Sequence, residues 1–244
     1  MFSFFRKKIP AIPVDFSGLK TDMHSHLLPG IDDGSSDPEM SSILKKGLED
    51  LGYQQFITTP HIMWDLYKNT PANISETLES LRLSGHHNIR AAAEYFMDDH
   101  FDELLSSADP LLCIRDTKVL VEFSFISPPM DLREKIFAMQ MKGYQPILAH
   151  PERYEYMSQK KSMLDELKAM GCEFQMNLLS LTGYYGKIAR ELALYLVGQS
   201  LVSWVGTDLH HDRHLNALRM SKEIMPVVNR LLDAGTLRNP GLAV

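Results

Sequence analysis

Short apolar segments alternate with helical patterns along most of this chain. The first segment is a brief extended run that begins at Thr21 and leads into a turn rich in glycine and aspartate. Six later segments have the length and apolar content of strands, and they span residues 54–59, 89–96, 118–125, 145–150, 173–177 and 202–207.

Helical patterns separate these segments. Asp37, Pro38 and Glu39 supply a cap, a first-turn proline and an acid near the positive helix end, and Gly52 ends the pattern. Further helices are predicted over 71–83, 101–105, 132–139, 163–170 and 187–197, with a final amphipathic helix over 215–232. Strands that alternate with helices indicate a parallel sheet with right-handed crossovers. Because seven units follow one another without a glycine-rich switch point, we predict a closed α/β barrel in a single domain.

Composition excludes several classes of function. The net charge of −6 leaves no global basic surface for nucleic acid or anionic lipid. No apolar run reaches the roughly 18–20 residues that cross a bilayer. The cysteines, Cys113 and Cys172, stand in apolar surroundings and are expected to be reduced thiols. We therefore expect a cytoplasmic protein that has no transmembrane segment and does not bind nucleic acid.

The first twenty residues differ from the rest of the chain. They include the stretch FSFFRKKIPAIP, in which the charges follow the aromatic residues, unlike the order in a signal peptide. We expect residues 1–20 to be an N-terminal extension and residues 21–244 to form the domain. The extension is expected to fray or pack on the surface, and docking to a membrane surface or a partner is the alternative.

Potential metal ligands recur where the predicted strands end. His24 and His26 are separated by one residue, a spacing that places both imidazoles on one face of an extended strand. Asp32 and Asp33 follow in the next turn. The later strand ends carry further imidazoles and carboxylates, at His61, Glu94, Glu122, His150, Asp208 and His210. Because the carboxyl ends of barrel strands meet at one rim, these side chains should converge. They exceed the needs of one tetrahedral zinc and are enough for two or three cations of the Zn, Mn or Fe type.

These residues lie in segments that carry a resemblance. The stretches DMHSHLLPGIDDG, TTPH, EFS, AHPERY and GTDLH are similar to the PHP (polymerase and histidinol phosphatase) superfamily. Within it they resemble the bacterial manganese-dependent protein-tyrosine phosphatases of capsule and exopolysaccharide gene clusters. The resemblance implies a distorted (β/α)7 TIM-like barrel with a site for three divalent metal ions, of which Mn is favoured over Fe or Zn.

The resemblance also implies a set of ligands for each ion. The first ion would be held by His24, His26, Glu94 and Asp208, the second by Glu94, Glu122 and His150, and the third by Asp33, His61 and His210. Asp32 is the competing choice for Asp33. The ordinary alternative for Glu94 is an acid that merely ends a strand.

A phosphate monoester is the substrate that such a site would favour. Three divalent cations against four carboxylates leave the site about two charges positive, within a protein that is negative overall. Hydroxide formed at the cations is expected to attack phosphorus in line. Arg153 is expected to donate paired hydrogen bonds to phosphate oxygens, and Asp208 and His210 to assist proton transfer. Glu152 would orient Arg153 or face solvent.

A cysteine nucleophile is excluded by spacing. Cysteine-based tyrosine phosphatases place an arginine six positions after the cysteine, whereas Val119 and Leu178 occupy those positions after Cys113 and Cys172.

Several functions are compatible with these residues. The favoured one is a tyrosine phosphatase whose partner is the phosphorylated tail of a bacterial tyrosine kinase that regulates polysaccharide export. Histidinol phosphate or another small phosphomonoester is an alternative substrate. A metal-stabilised binding module without turnover and a nuclease are the remaining alternatives. Tyr184 and Tyr185 would either stack on an aromatic substrate or be partly buried under their own loop.

Overall fold

The computed structural model describes residues 13–243. Its strands are β1 (Thr21–Asp22), β2 (Gln55–Thr58), β3 (His61–Ile62), β4 (Ile89–Ala91), β5 (Glu94–Phe96), β6 (Lys118–Glu122), β7 (Gln145–Ala149), β8 (Glu173–Asn177) and β9 (Val202–Gly206). Its α-helices are α1 (Pro38–Asp50), α2 (Pro71–Leu83), α3 (Asp99–Ser106), α4 (Leu132–Met141), α5 (Glu155–Gln159), α6 (Ser162–Ala169), α7 (Lys187–Gly198), α8 (Asp212–Met220) and α9 (Ile224–Asp233). Single turns of 3₁₀-helix span Pro151–Arg153, Leu178–Thr182 and Asn239–Leu242.

The named strands all pair in parallel and form two sheets in one mixed α/β domain. The smaller sheet has the order β1-β2-β4, and the larger has the order β3-β5-β6-β7-β8-β9. The two sheets meet at two divisions, one between β2 and β3 at residues 59–60, and one at residues 92–93, where the predicted strand over 89–96 is divided into β4 and β5. Pro60, which has no N–H, lies at the first division. Backbone hydrogen bonds from Ala92 to Thr58 and from Glu94 to Pro60 cross the break.

The first and last segments of the sheet series also touch. A parallel bridge joins Ser25 to Leu209, and the Asp208 N–H donates to the His24 carbonyl oxygen. The structure thus confirms the parallel α/β architecture, while complete closure into a barrel stays a prediction.

The two faces of the strands carry separate hydrophobic clusters. Leu120 of β6 belongs to a small inner cluster, whereas its neighbours Val119 and Val121 belong to the large cluster. Ile147 and Trp204 join the inner cluster from β7 and β9. Because side chains alternate along each strand, the inner cluster fills the space behind the strand ends that carry the candidate ligands.

One helix prediction is wrong. The segment predicted as a single helix over 215–232 forms two helices, α8 and α9, which are separated at residues 221–223. Ser221 is extended, and its hydroxyl accepts the Ile224 N–H at the start of α9. Pro226 stands in the first turn of α9, where its missing N–H costs nothing, but in one continuous helix it would remove an interior hydrogen bond.

Other expectations concern the surface and the cysteines. No helix in the described residues is long and apolar enough to cross a bilayer. Cys172 is buried, Cys113 is half-buried, and both are free thiols. Residues 1–12 of the predicted extension lie outside the described residues. Within the remainder, Phe16 and Leu19 are fully buried in the large hydrophobic cluster.

Candidate metal centre

The predicted ligands converge at the carboxyl ends of the parallel strands. His24 and His26 follow β1, while His61 and Glu94 begin the short strands β3 and β5. Glu122 ends β6. The remaining ligands follow β7 and β9, and they are His150, Asp208 and His210. Side chains from distant parts of the sequence therefore share one location.

The innermost group consists of four buried residues. The Nε2 atom of His24 lies 3.1 Å from Glu94 Oε2, 3.3 Å from Asp208 Oδ1 and 3.4 Å from His26 Nε2. His26 Nε2 lies 3.5 Å from Glu94 Oε2 and 3.4 Å from Asp208 Oδ1. Ligands about 2.1 Å from a common ion are separated by roughly 3.0–3.4 Å. The four donor atoms therefore have the spacing of one metal's ligands.

Glu94 links this group to a second one. Its Oε2 atom lies 3.3 Å from His61 Nδ1, and its Oε1 atom lies 3.0 Å from His150 Nε2. Glu122 adds its Oε1 atom 2.9 Å from His61 Nδ1, and its Oε2 atom lies 3.9 Å from His150 Nε2. Glu94 is thus central and fully buried, unlike an ordinary acid at a strand end.

A third group is more exposed. Asp33 Oδ1 lies 3.5 Å from His61 Nε2 and 3.6 Å from His210 Nε2. The His210 ring stacks on His26 at 3.9 Å between ring centroids. Asp32 points elsewhere, because its Oδ2 atom accepts from His26 Nδ1 at 2.8 Å. The geometry therefore favours Asp33 over Asp32 as a ligand and leaves Asp32 to orient His26.

Three imidazoles direct their Nε2 atoms into the cluster. His24 Nδ1 is bonded to Gln175 Oε1 at 2.8 Å, and His210 Nδ1 is bonded to the Asp208 carbonyl oxygen at 2.9 Å. His26 is held in the same way by Asp32. A partner on one ring nitrogen fixes the proton there and leaves the other nitrogen free to bind a metal.

A buried amide network completes this support. Gln175 Nε2 donates to Asn177 Oδ1 at 2.9 Å, and Asn177 Nδ2 donates to Asp208 Oδ2 at 2.7 Å. The network joins His24 to Asp208 through the interior. Our interpretation of the sequence missed these two amides, although polar residues at alternate positions of an otherwise apolar strand are a signal that could have found them.

The donor set fits divalent cations. His61 Nδ1 and Glu122 Oε1 are 2.9 Å apart, yet both buried atoms lack a hydrogen-bond partner within the described residues. Two lone pairs that face the same point repel each other, whereas a cation between them would bind both. The mixture of imidazole nitrogen and carboxylate oxygen is suited to Zn, Mn and Fe.

The charges in the centre support the same conclusion. Burial alone would raise the pKa of Glu94, but His24 and His61 hold it well below its usual range. Burial would likewise lower the pKa of His61, but Glu122 and Glu94 raise it to about 9. The carboxylates thus favour positive charge at this location, whether it is carried by protons or by cations.

The backbone is strained at two of the candidate ligands. His150 and Asp208 have φ values of 34° and 51°, in the left-handed region that side chains other than glycine rarely adopt. Asp22 secures the approach to Asp208, because its carboxylate accepts from both the N–H and the hydroxyl of Thr207. The fold therefore imposes a direction on these two side chains.

Arg153 lies beside the metal ligands. Its Nη1 atom donates to Asp208 Oδ2 at 2.9 Å, and its side chain is one-quarter exposed. Glu152 is fully buried, so the alternative that it faces solvent is wrong, and no direct hydrogen bond joins it to Arg153 within the described residues. Its buried Oε1 atom accepts from the Asn177 N–H at 2.8 Å and the Ser180 hydroxyl at 2.7 Å, which ties the turn that carries Arg153 to the end of β8.

A cavity of about 220 Å³ opens above these groups. Its wall includes metal-ligand candidates such as Asp33, His61 and Glu122, together with Arg153. Tyr185 contributes to the wall, whereas its neighbour Tyr184 is exposed outside it. The cavity therefore places a guanidinium and the three groups of metal donors around one space.

Nitrogen and oxygen donors gathered at the strand ends of a parallel α/β domain form candidate metal-binding groups of the kind found in metal-dependent hydrolases. The comparisons agree with this class. The chain belongs to the CpsB/CapC family of capsular polysaccharide synthesis, whose family model matches residues 20–234.

Named relatives and a solved structure refine the comparison. The tyrosine-protein phosphatase YwqE of Bacillus subtilis is 32% identical over 208 residues, which cover 80% of this chain and 79% of YwqE. The tyrosine-protein phosphatase CpsB of Streptococcus pneumoniae is 27% identical over 202 residues, covering 78% and 82% of the two chains. The crystal structures of these two proteins, described as unique metal-dependent tyrosine phosphatases, include a chain that superposes with a TM-score of 0.76 at 30% identity and 86% coverage of both chains.

Proposed function

We propose that this chain is a metal-dependent phosphatase that hydrolyses phosphotyrosine in a protein substrate. The observation that carries the proposal is the shared cavity, which the Arg153 guanidinium and the metal-donor atoms line together. The names of the relatives support tyrosine as the phosphorylated residue. The sequence spacing of Cys113 and Cys172 already excludes a cysteine nucleophile, and Cys172 is buried away from the cavity.

The metal content that we propose is three divalent ions, with Mn favoured over Fe or Zn. Three overlapping donor groups support this number, and they are His24–His26–Glu94–Asp208, His61–Glu94–Glu122 with His150 adjacent, and His26–Asp33–His61–His210. Bound cations would supply a lowered pKa for water and would neutralise charge on phosphate oxygens.

The protein's own catalytic groups have separate tasks. Arg153 binds the phosphoryl oxygens, because only its Nη1 atom is hydrogen-bonded within the described residues and its other N–H groups are available. Asp208 anchors that guanidinium while its second oxygen faces His24. His210, fixed through Nδ1, presents Nε2 toward Asp33 at the wall of the cavity, where it would hold a cation.

We further propose that the two sheets form a distorted (β/α)7 barrel, and the bridge between Ser25 and Leu209 supports this closure. The biological role that we propose is control of capsule or exopolysaccharide synthesis in the cytoplasm. Its partner would be the phosphorylated tail of a bacterial tyrosine kinase, as the resemblance implies. Family membership supports the connection to polysaccharide synthesis.

Metal analysis combined with hydrolysis assays tests the activity. We expect the purified protein to contain divalent metal and to hydrolyse a phosphotyrosyl peptide. A chelator should abolish hydrolysis and added Mn²⁺ should restore it, while Arg153→Ala should reduce it roughly 100-fold because a charge-assisted contact is lost.

Other outcomes would overturn the proposal. Full activity after complete removal of metal would exclude a metal-dependent reaction. Faster turnover of histidinol phosphate than of the phosphotyrosyl peptide would assign the protein to small-molecule chemistry instead. No turnover of any phosphomonoester by metal-loaded protein would indicate a binding module.

A further inference from the structure

Two aromatic rings enclose the guanidinium of Arg153. Its Cζ atom lies 4.7 Å from the centroid of the Phe125 ring and 4.4 Å from that of the Tyr185 ring. Asp208 holds the Nη1 atom at 2.9 Å. Two aromatic rings and one carboxylate therefore restrain the guanidinium.

The two rings come from separate loops and are themselves supported. Phe125 follows β6, stacks on His150 at 5.8 Å and lies 5.5 Å from the Tyr154 ring. Tyr185 follows the 3₁₀ turn after β8 and lies edge-on to His214 at 6.1 Å. Three loops at the strand ends thus meet at Arg153, and none of these contacts requires a bound substrate.

The enclosed guanidinium separates two cavities. The inner one is the 220 Å³ cavity that faces the metal donors, and an outer one of about 200 Å³ adjoins it. Phe125, Arg153 and Tyr185 line both cavities. Of the two cavities, only the outer one has Glu155, an exposed acid at the start of α5, in its wall.

We propose that Phe125 and Tyr185 are positioning residues that hold Arg153 toward the inner cavity. The inference rests on the proposed phosphatase function, because the inner cavity is where the phosphoryl group would bind. Without the rings, the guanidinium turns toward the outer cavity and pairs with Glu155. The two rings then act on the reaction through Arg153 and not through direct contact with the substrate.

The physical basis is the cost of ordering a long, flexible side chain. A guanidinium binds two phosphate oxygens well only when its plane is correctly oriented. Aromatic faces attract this cation, and the attraction grows when the pair is shielded from water. A preorganised guanidinium avoids losing conformational freedom when the phosphoryl group arrives.

Ring removal at either position tests the proposal in the metal-loaded protein. We expect Phe125→Leu and Tyr185→Leu each to lower kcat/KM for a phosphotyrosyl peptide roughly tenfold. Phe125→Tyr and Tyr185→Phe keep the rings and should stay within about twofold of the original value. Phe137→Leu is a matched control, because Phe137 is an exposed phenylalanine of α4. A loss in Tyr185→Phe equal to that in Tyr185→Leu would show direct action of the hydroxyl and overturn the assignment for Tyr185.

Two second-site variants separate positioning from direct contact. In an Arg153→Ala background, Phe125→Leu should have no further effect, because its target is already absent. Glu155→Gln should recover part of the activity of Phe125→Leu by removing the competing carboxylate. A full additional tenfold loss in the Arg153→Ala background would show that the ring acts without Arg153, which would overturn the proposal.

A measurement that needs no turnover separates this proposal from the phosphatase assignment. The ¹⁵N relaxation of the Arg153 Nε–H group reports the order of the guanidinium. We expect an ordered group in the original protein and a mobile one in Phe125→Leu and Tyr185→Leu, with equal metal content. Equal order in all three proteins would refute the positioning role even if hydrolysis is observed, whereas ordered behaviour without hydrolysis would refute only the function.

Discussion

An imidazole can bind a metal through either ring nitrogen, so a metal centre depends on what fixes the other nitrogen. His24 Nδ1 is held by Gln175, which is itself held by Asn177. Both amides are fully buried, so water cannot replace a lost hydrogen-bond partner and the loss costs free energy. The amides therefore set the direction of His24 although neither belongs to any of the donor groups.

Replacing Gln175 with leucine should weaken metal binding without removing a ligand. The change leaves the Nδ1 atom of His24 and the Oδ1 atom of Asn177 without their partner. We expect metal affinity to fall roughly 10- to 100-fold. The measurement is the metal retained after dialysis against graded chelator concentrations. The exposed Gln199→Leu is the control, and equal retention in the two variants would contradict the prediction.

The neighbouring acids Asp32 and Asp33 should differ in what they contribute. Asp33 faces His61 and His210, so Asp33→Ala should reduce the metal bound at saturation by about one ion. Asp32 bonds His26, so Asp32→Ala should weaken affinity and leave the saturating amount unchanged. Elemental analysis across a titration with Mn²⁺ distinguishes the two, and the reverse pattern would make Asp32 the ligand.

The convergence of the ligands could be predicted because it follows from parallel strand order. His61 and His150 each come at the end of an apolar run, and such ends meet in any parallel arrangement. The supporting amides could not be placed in the same way. Their polar positions in β8 can be seen in the sequence, but the pairing of β8 with β9 shifts register at Phe174 and Gln175, so the strand pattern does not show which ligand each amide contacts.

At the scale of elements, helix α1 packs unusually close to α8. A Cβ atom added at Gly47 of α1 would lie 2.2 Å from Leu215 Cδ2. Gly198, at the end of α7, has open space around it. We expect Gly47→Ala to reduce the free energy of unfolding by about 1–3 kcal/mol through overpacking. Gly198→Ala should raise it by up to about 1 kcal/mol through helix propensity.

Urea unfolding of both variants at fixed metal content provides the measurement. We therefore expect the glycine-to-alanine substitution to change the free energy of unfolding in opposite directions at the two sites. Helix propensity decides the effect at Gly198, whereas the contact with Leu215 decides it at Gly47. A stabilised Gly47→Ala protein would show that α1 and α8 can separate at little cost.

The strands and most helices could be predicted because the spacing of the hydrophobic residues and the length of the segment indicate the same type of element in each case. The breaks depend on tertiary context. The predicted strand over 89–96 is divided at Ala92 and Ala93, where the ladder moves between sheets, and Ser221 ends α8 where the apolar spacing continues into α9. A periodic pattern fixes which face is buried, but it does not show where the backbone leaves one element and begins the next.

At the scale of the whole molecule, the two ends of the parallel strands have different tasks. The carboxyl ends carry the candidate metal centre, with strained residues and concentrated charge. At the amino ends, Glu173 of β8 receives hydrogen bonds from Lys118, Trp204 and Arg238. These contacts join β6, β9 and the C-terminal segment, so they stabilise the fold at a distance from the chemistry.

Glu173→Gln should therefore separate stability from metal binding. Burial alone would raise the pKa of Glu173, but its bonds with Lys118 and Trp204 hold the pKa below the usual range. A depressed pKa contributes stability above the unfolded value of about 4.3, and that stability is lost as the pH falls through the lower folded pKa. We expect Glu173→Gln to lower the free energy of unfolding by about 1–2 kcal/mol at pH 7, and the deficit to shrink below about pH 4. Urea titrations across this range measure the deficit, with unchanged metal content as the control. A deficit that is constant with pH would show that shape and packing, and not the carboxylate charge, hold this end of the sheet together.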